Sequence, residues 1–153
     1  MPKKVDILLI ALSSPIKIGI YENSKLIESI ESAEKSSDVL PILYKSIFDK
    51  YDVEKLLYTN GPGSFMAIKV AYIFLKSLSI LKKTPLYAIS AFYFNENNPI
   101  KAMGKLYFVK IGLEIQTKKF ESTIENKFTL PNSIRDIEFS TKSEPFYKIG
   151  FVG

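Results

Sequence analysis

The chain of 153 residues is long enough for one compact domain or two small lobes, and at 46% hydrophobic and 24% charged residues it has the composition of an ordinary globular protein. It has neither cysteine nor histidine, which excludes disulfides, thiolate nucleophiles, zinc knuckles, imidazole bases and imidazole-bound metals, and leaves carboxylates, lysines and hydroxyls for any catalysis. The net charge of +5 comes from lysines that are scattered apart from pairs such as Lys82-Lys83 and Lys118-Lys119, which fits a solvated basic surface rather than a nucleic-acid groove.

No apolar run reaches the roughly 18 residues of a membrane span, and Met1-Pro2-Lys3-Lys4 opens no cleavable leader pattern, so a soluble, mature, cytoplasmic chain is expected. Val5 to Leu12 is apolar, Ser13-Ser14-Pro15 punctuates it, and Ile16, Ile18 and Ile20 then alternate with Lys17 and Gly19. This pattern predicts a hairpin, and the turn at Glu22-Asn23-Ser24 extends it through Leu26 to Ile30 as an antiparallel meander. Glu31 to Ser37 is a polar loop ending at a helix cap. From Asp38 to Tyr51 the apolar residues recur at helical steps, with Pro41 in the first turn.

Lys55 to Thr59 reads as a buried strand. Asn60-Gly61-Pro62-Gly63 must turn tightly, and Ser64 caps a helix that runs to Leu81, where Lys82-Lys83 and Pro85 stop it. Leu86 to Ile89 is a further strand. The succession of three strands, helix, strand, helix, strand predicts an α/β fold with a ribonuclease-H-like core, a meander joined to parallel strands by right-handed crossovers. Asn95 to Lys101 is the expected boundary, dividing an N-terminal lobe, 1–97, from a shortened C-terminal lobe, 98–153. Within the latter, Leu106 to Leu113, Ile115 to Ile124, Phe128 to Leu130 and Phe146 to Val152 read as strands.

Gly61-Pro62-Gly63-Ser64-Phe65, after a buried strand and before a long apolar helix, resembles the signature Gly-Pro-Gly-Ser-Phe-Thr-Gly-Leu-Arg of the bacterial TsaB (YeaZ) family. Thr84-Pro85-Leu86, Ala88-Ile89-Ser90 and Leu40-Pro41-Ile42-Leu43 resemble other segments of that family in the same order. The resemblance covers residues 5–94 and implies an actin-like (ASKHA) fold. It also implies a non-catalytic role: a scaffold for TsaD, the related metal-carrying subunit that transfers threonylcarbamoyl to adenosine in tRNA. The ATPase TsaE would bind the assembled pair, and tRNA would be met only through the complex.

The departures are in the polar positions. After Phe65 come Met66, Ala67, Ile68 and Lys69 in place of Thr, Gly, Leu and Arg. The family's first strand ends in Asp-Thr-Ser-Thr, but here it reads Ala11-Leu12-Ser13-Ser14, without the carboxylate that holds nucleotide magnesium in actin-like ATPases. No cofactor, metal or catalytic residue is therefore expected. Asp6 lies near the start of the first strand rather than its end and Asp38 at a helix start, so neither offers the clustered acids of a two-metal nuclease site.

The Gly61 to Ser64 loop would present amide hydrogens to an anion, but Pro62 removes one donor, and a tight structural turn is the favoured reading. The long helix is apolar around nearly its whole circumference, so part of it is expected to meet another chain. The predicted interface is Leu40, Leu43, Tyr44 and Ile47 on the first helix and Ala67, Ile68, Ala71, Tyr72 and Leu75 on the second, half of an intermolecular four-helix bundle with Ala67 and Ala71 allowing close approach. A small actin-like nucleotide-binding enzyme and a stand-alone homodimeric scaffold are the alternatives.

Overall fold

Lys4–Ile10 forms β1, and its near-continuous aliphatic run suits a central strand covered on both faces. In the computed structural model, which describes residues 1–125 and 127–146, β1 pairs antiparallel with β2 (Ile16–Glu22) and parallel with β4 (Asp52–Thr59). Strand β3 (Lys25–Ser32) and β5 (Leu86–Ile89) flank them in the order β3-β2-β1-β4-β5. The β2–β3 hairpin closes on Asn23 and Ser24, both at positive φ, the conformation that matches strand twist in a two-residue turn.

Helix α1 (Ser36–Lys50) crosses from β3 to β4, and α2 (Phe65–Lys82) from β4 to β5. The meander, the parallel strands and both crossovers are thus as the sequence predicts. Helix α1 begins two residues earlier than expected, at Ser36, and its cap residue Lys35 makes no side-chain cap bond. Pro41 therefore stands in the second turn, on the exposed face. Helix α2 ends on Lys83 in the left-handed conformation, with Thr84 N donating to Ser79 O at 3.0 Å.

Register separates the two faces of the sheet. Ile7 and Leu9 lie opposite Ile20 and Ile18 and beside Leu56 and Tyr58, on the face covered by the helices. Tyr58 stacks there on Tyr72 of α2. Asp6, Leu8 and Ile10 pair with Tyr21, Gly19 and Lys17 on the other face. That second apolar face needs a cover of its own, and residues 127–146 supply it. Lys17 Nζ donates to Phe128 O at 2.6 Å, Tyr21 Oη to Pro131 O at 2.7 Å, and Leu26 N to Asn132 O at 2.9 Å. Ser140 bridges Ala88 of β5, and Phe128, Ile134 and Ile137 enter the main core.

By its contacts this strap belongs with the first sheet. Residues 100–119 form a second sheet, β6 (Ile100–Met103), β7 (Leu106–Ile111) and β8 (Glu114–Lys119). Residues 127–146, however, return to the first sheet and share its core. Phe128 to Leu130 is not a strand, β8 stops at Lys119 rather than Ile124, and β6 was not foreseen. Of the closing strand expected over Phe146 to Val152, all but Phe146 lies outside the described residues.

Candidate interaction surface

The Gly61–Ser64 loop sits at the carboxyl end of β4, where open α/β sheets commonly place ligands. Here the loop is packed shut. Gly61 and Pro62 are buried, and Gly61 adopts φ +122°, which a side chain would strain. A β-carbon on Gly61 would meet Phe146 Cβ at 3.0 Å and Ile68 Cδ1 at 3.3 Å. Phe146 N donates to Asn60 O at 2.7 Å, Asn60 Nδ2 to Glu144 O at 3.0 Å, and the Tyr58 hydroxyl to Ser143 O, so the strap is fastened over this corner. Ser64 accepts from Ala67 N at 3.4 Å as the cap of α2, and Phe65 begins the helix, 46% exposed. The loop is a structural turn.

At the β1–β2 turn, exposed Ser13 and Ser14 line a cleft of about 130 Å³ with Lys17, Lys127 and Phe128, below the roughly 300 Å³ where small-molecule sites begin. The Lys17 ammonium is already held by the Phe128 carbonyl, with Glu31 at 4.0 Å. Ala11, just beyond the end of β1, is buried in the core.

The predicted interface is divided by the structure. Ile68, Ala71 and Leu75 form the inner face of α2, and Leu40, Tyr44 and Ile47 that of α1; all six are buried in the chain's own core. Tyr44 packs edge-on against Phe74 at 5.4 Å, and burial pushes its hydroxyl pKa far up. These six do not form an outward contact surface. Ala71 is buried in the chain's own core, so the close approach its small side chain permits is made within the chain. Leu43, Ala67 and Tyr72 are half-buried at the margins.

The opposite face of α2 takes the place of that prediction. Met66, Lys69, Ile73, Lys76 and Ile80 recur at three- and four-residue steps and are all exposed, with Ile73 at 54% and Ile80 at 69%. Leu81 adds 77% exposure beside them. The breadth of apolar character in α2 shows that apolar side chains face both inward and outward, but not which residues do which. Lys69 and Lys76, seven apart, were the available signal, because charged side chains mark the side away from the core.

No protein-family model and no curated protein matches the chain by sequence. By structure it is similar to YeaZ from Pseudomonas aeruginosa, with 13% identity and a TM-score of 0.60 over 78% of this chain and 66% of that one. A second similar structure is an uncharacterised protein with similarity to peptidase YEAZ, also from Pseudomonas aeruginosa, with 12% identity and a TM-score of 0.59 over 76% and 64%. The fold is the actin-like, ribonuclease-H-like fold of YeaZ. The chain spans just under two thirds of the length of those structures. Among the described residues no helix is long and apolar enough to cross a membrane.

Proposed function

We propose that the chain is a non-catalytic scaffold subunit of the TsaB type, binding a TsaD-type partner and supporting threonylcarbamoyl transfer to adenosine in tRNA. The observation that carries this reading is the exposed apolar stripe Met66, Ile73 and Ile80 on α2, on the outer side of a YeaZ-like sheet whose own core is already filled by the other side of the helix. Exposed apolar side chains at helical spacing on a well-packed element are the mark of a docking face. The absence of cysteine and histidine, and Ala11 in place of the first-strand carboxylate, favour a role played through association rather than chemistry. TsaE joins the assembled pair in this reading, and tRNA is met only through the complex.

Co-expression with the TsaD-type protein of the same organism, followed by sizing and by an assay of threonylcarbamoyl transfer, tests it. A stable pair that Ile73→Asp abolishes, with transfer lost in parallel, is expected. Transfer at full rate without this chain, or a pair that Ile73→Asp leaves intact, would overturn the reading. A self-paired chain that ignores TsaD would favour the homodimeric scaffold instead.

A further inference from the structure

Helix α2 contains no aspartate or glutamate among its 18 residues but carries Lys69, Lys76 and Lys82. Lys69 stands three residues after Met66 and four before Ile73; Lys76 stands three after Ile73 and four before Ile80. Each lysine is therefore set between two exposed apolar side chains on one stripe. Among the described residues neither forms an ion pair, whereas Lys45 and Lys50 of the neighbouring helix α1 are engaged by Asp49 at 2.8 Å and Glu28 at 3.4 Å. From this arrangement, and resting on the scaffold reading above, we infer that the stripe is built for a different chain: an apolar helical surface carrying carboxylates among its contacts.

A second copy does not satisfy it. Pairing two identical α2 stripes brings the Lys69 and Lys76 ammonium groups of both copies into one contact with no acid between them. Like charges gathered in this way disfavour the pair. A nucleic-acid backbone would neutralise the lysines but leave Met66, Ile73 and Ile80 facing phosphate and water. A lipid surface favours lysines on a polar face flanking a broad apolar one, and here they stand inside the stripe. Carboxylates interleaved with apolar side chains on a partner helix match both features at once.

The sign of the salt dependence separates these cases. Raising salt from about 0.05 M to about 0.5 M shortens the screening length from over 10 Å to under 5 Å. Association with the TsaD-type partner should weaken about tenfold over that range, and any self-association of the chain should strengthen. The double variant Lys69→Glu, Lys76→Glu should keep its circular dichroism and melting temperature, bind the partner at least tenfold more weakly, and lose most of the salt dependence. Lys69→Gln with Lys76→Gln should fall between.

If Ile73→Asp abolishes partner binding but the charge-reversed variant binds as the wild type does with unchanged salt dependence, the acidic-partner inference is overturned and the scaffold reading stands. If wild type fails to bind, or Ile73→Asp binds undiminished, both fall. Self-association through Ile73 that is tightest at low salt, or capture by anionic phosphatidylserine vesicles that Ile73→Asp removes, would also overturn the inference.

Discussion

Gly63 faces Leu12 so closely that a β-carbon on it would stand 2.9 Å from Leu12 Cδ2 and 3.5 Å from Leu12 Cβ. The turn after β4 is thereby pressed onto the end of β1, with Leu12 itself buried. Gly63→Ala should cost about 1 kcal/mol, since the contact is with the far end of a leucine that can give a little. In the Leu12→Ala background the same change should cost less, with a coupling of at least about 0.5 kcal/mol by urea denaturation. Strict additivity would show that the two do not meet. Gly61→Ala should cost more than Gly63→Ala, because Gly61 combines φ +122° with Phe146 Cβ at 3.0 Å, and backbone strain alone contributes about 1–3 kcal/mol.

Ala71→Arg provides a direct test of which side of α2 faces inward. Ala71 is 1% exposed between Ile68 and Leu75, and an arginine there would bury an unpaired charge or force the helix off the sheet at a cost of several kcal/mol. The variant should lose its cooperative melt. Ile73→Asp, two residues on but outward, should remain folded and lose only about 0.5–1 kcal/mol. A folded Ala71→Arg protein would refute the packing described here.

Stability should fall at acid pH through Glu28. The Tyr51 hydroxyl donates to Glu28 Oε1 at 2.6 Å, tying the end of α1 to β3, and this bond chiefly lowers the Glu28 pKa; burial opposes it and Lys50 assists. A carboxyl whose folded pKa lies below its ordinary 4.5 adds stability that is complete above that value and is lost as pH falls through the lowered one. Tyr51→Phe should therefore melt below wild type at neutral pH, and the gap should narrow as pH falls below the ordinary 4.5. A gap of constant size would assign the effect to packing alone.

Asp6 acts with the opposite sign. Burial raises its pKa, against an opposing pull from Lys55 beside it in the parallel register and with a small further rise from Glu54. A raised carboxyl pKa contributes stability that is full below the unfolded value and is lost as pH rises through the folded one. Asp6→Asn should accordingly raise the melting temperature at pH 7 and leave it nearly unchanged near about pH 3. Destabilisation at pH 7 would mean that the Lys55 attraction outweighs burial.

The elements with a strong local period were legible in the sequence. Alternation at Ile16, Ile18 and Ile20, helical spacing from Val39 to Phe48, and the Ser64 cap with Pro85 beyond the stop each carry their own signal. The strap carries none, because Phe128, Ile134 and Ile137 enter the core at irregular spacing and its backbone bonds go to distant residues such as Leu26 and Ala88. The exposed face of α2 was half legible. Alanines at positions 67 and 71 signal close packing but not against what, and only the burial of Ala71 in the folded chain shows that it faces inward.

The strap also limits how other chains can engage the molecule. Its Asn132 accepts from Leu26 on β3, and its Ser140 exchanges two backbone bonds with Ala88 on β5, so both outer strands of the main sheet are engaged by a segment of the same chain. An extended peptide seeking to lengthen the sheet at those positions must first displace a tethered competitor whose effective concentration is in the millimolar range. In the proposed scaffold role, recognition would then rest not on the backbone, which is nearly the same in every sequence, but on outward side chains such as Lys69, Ile73 and Lys76. In that role, a few substitutions there would retune which chain is accepted while every ladder of the sheet stays in register.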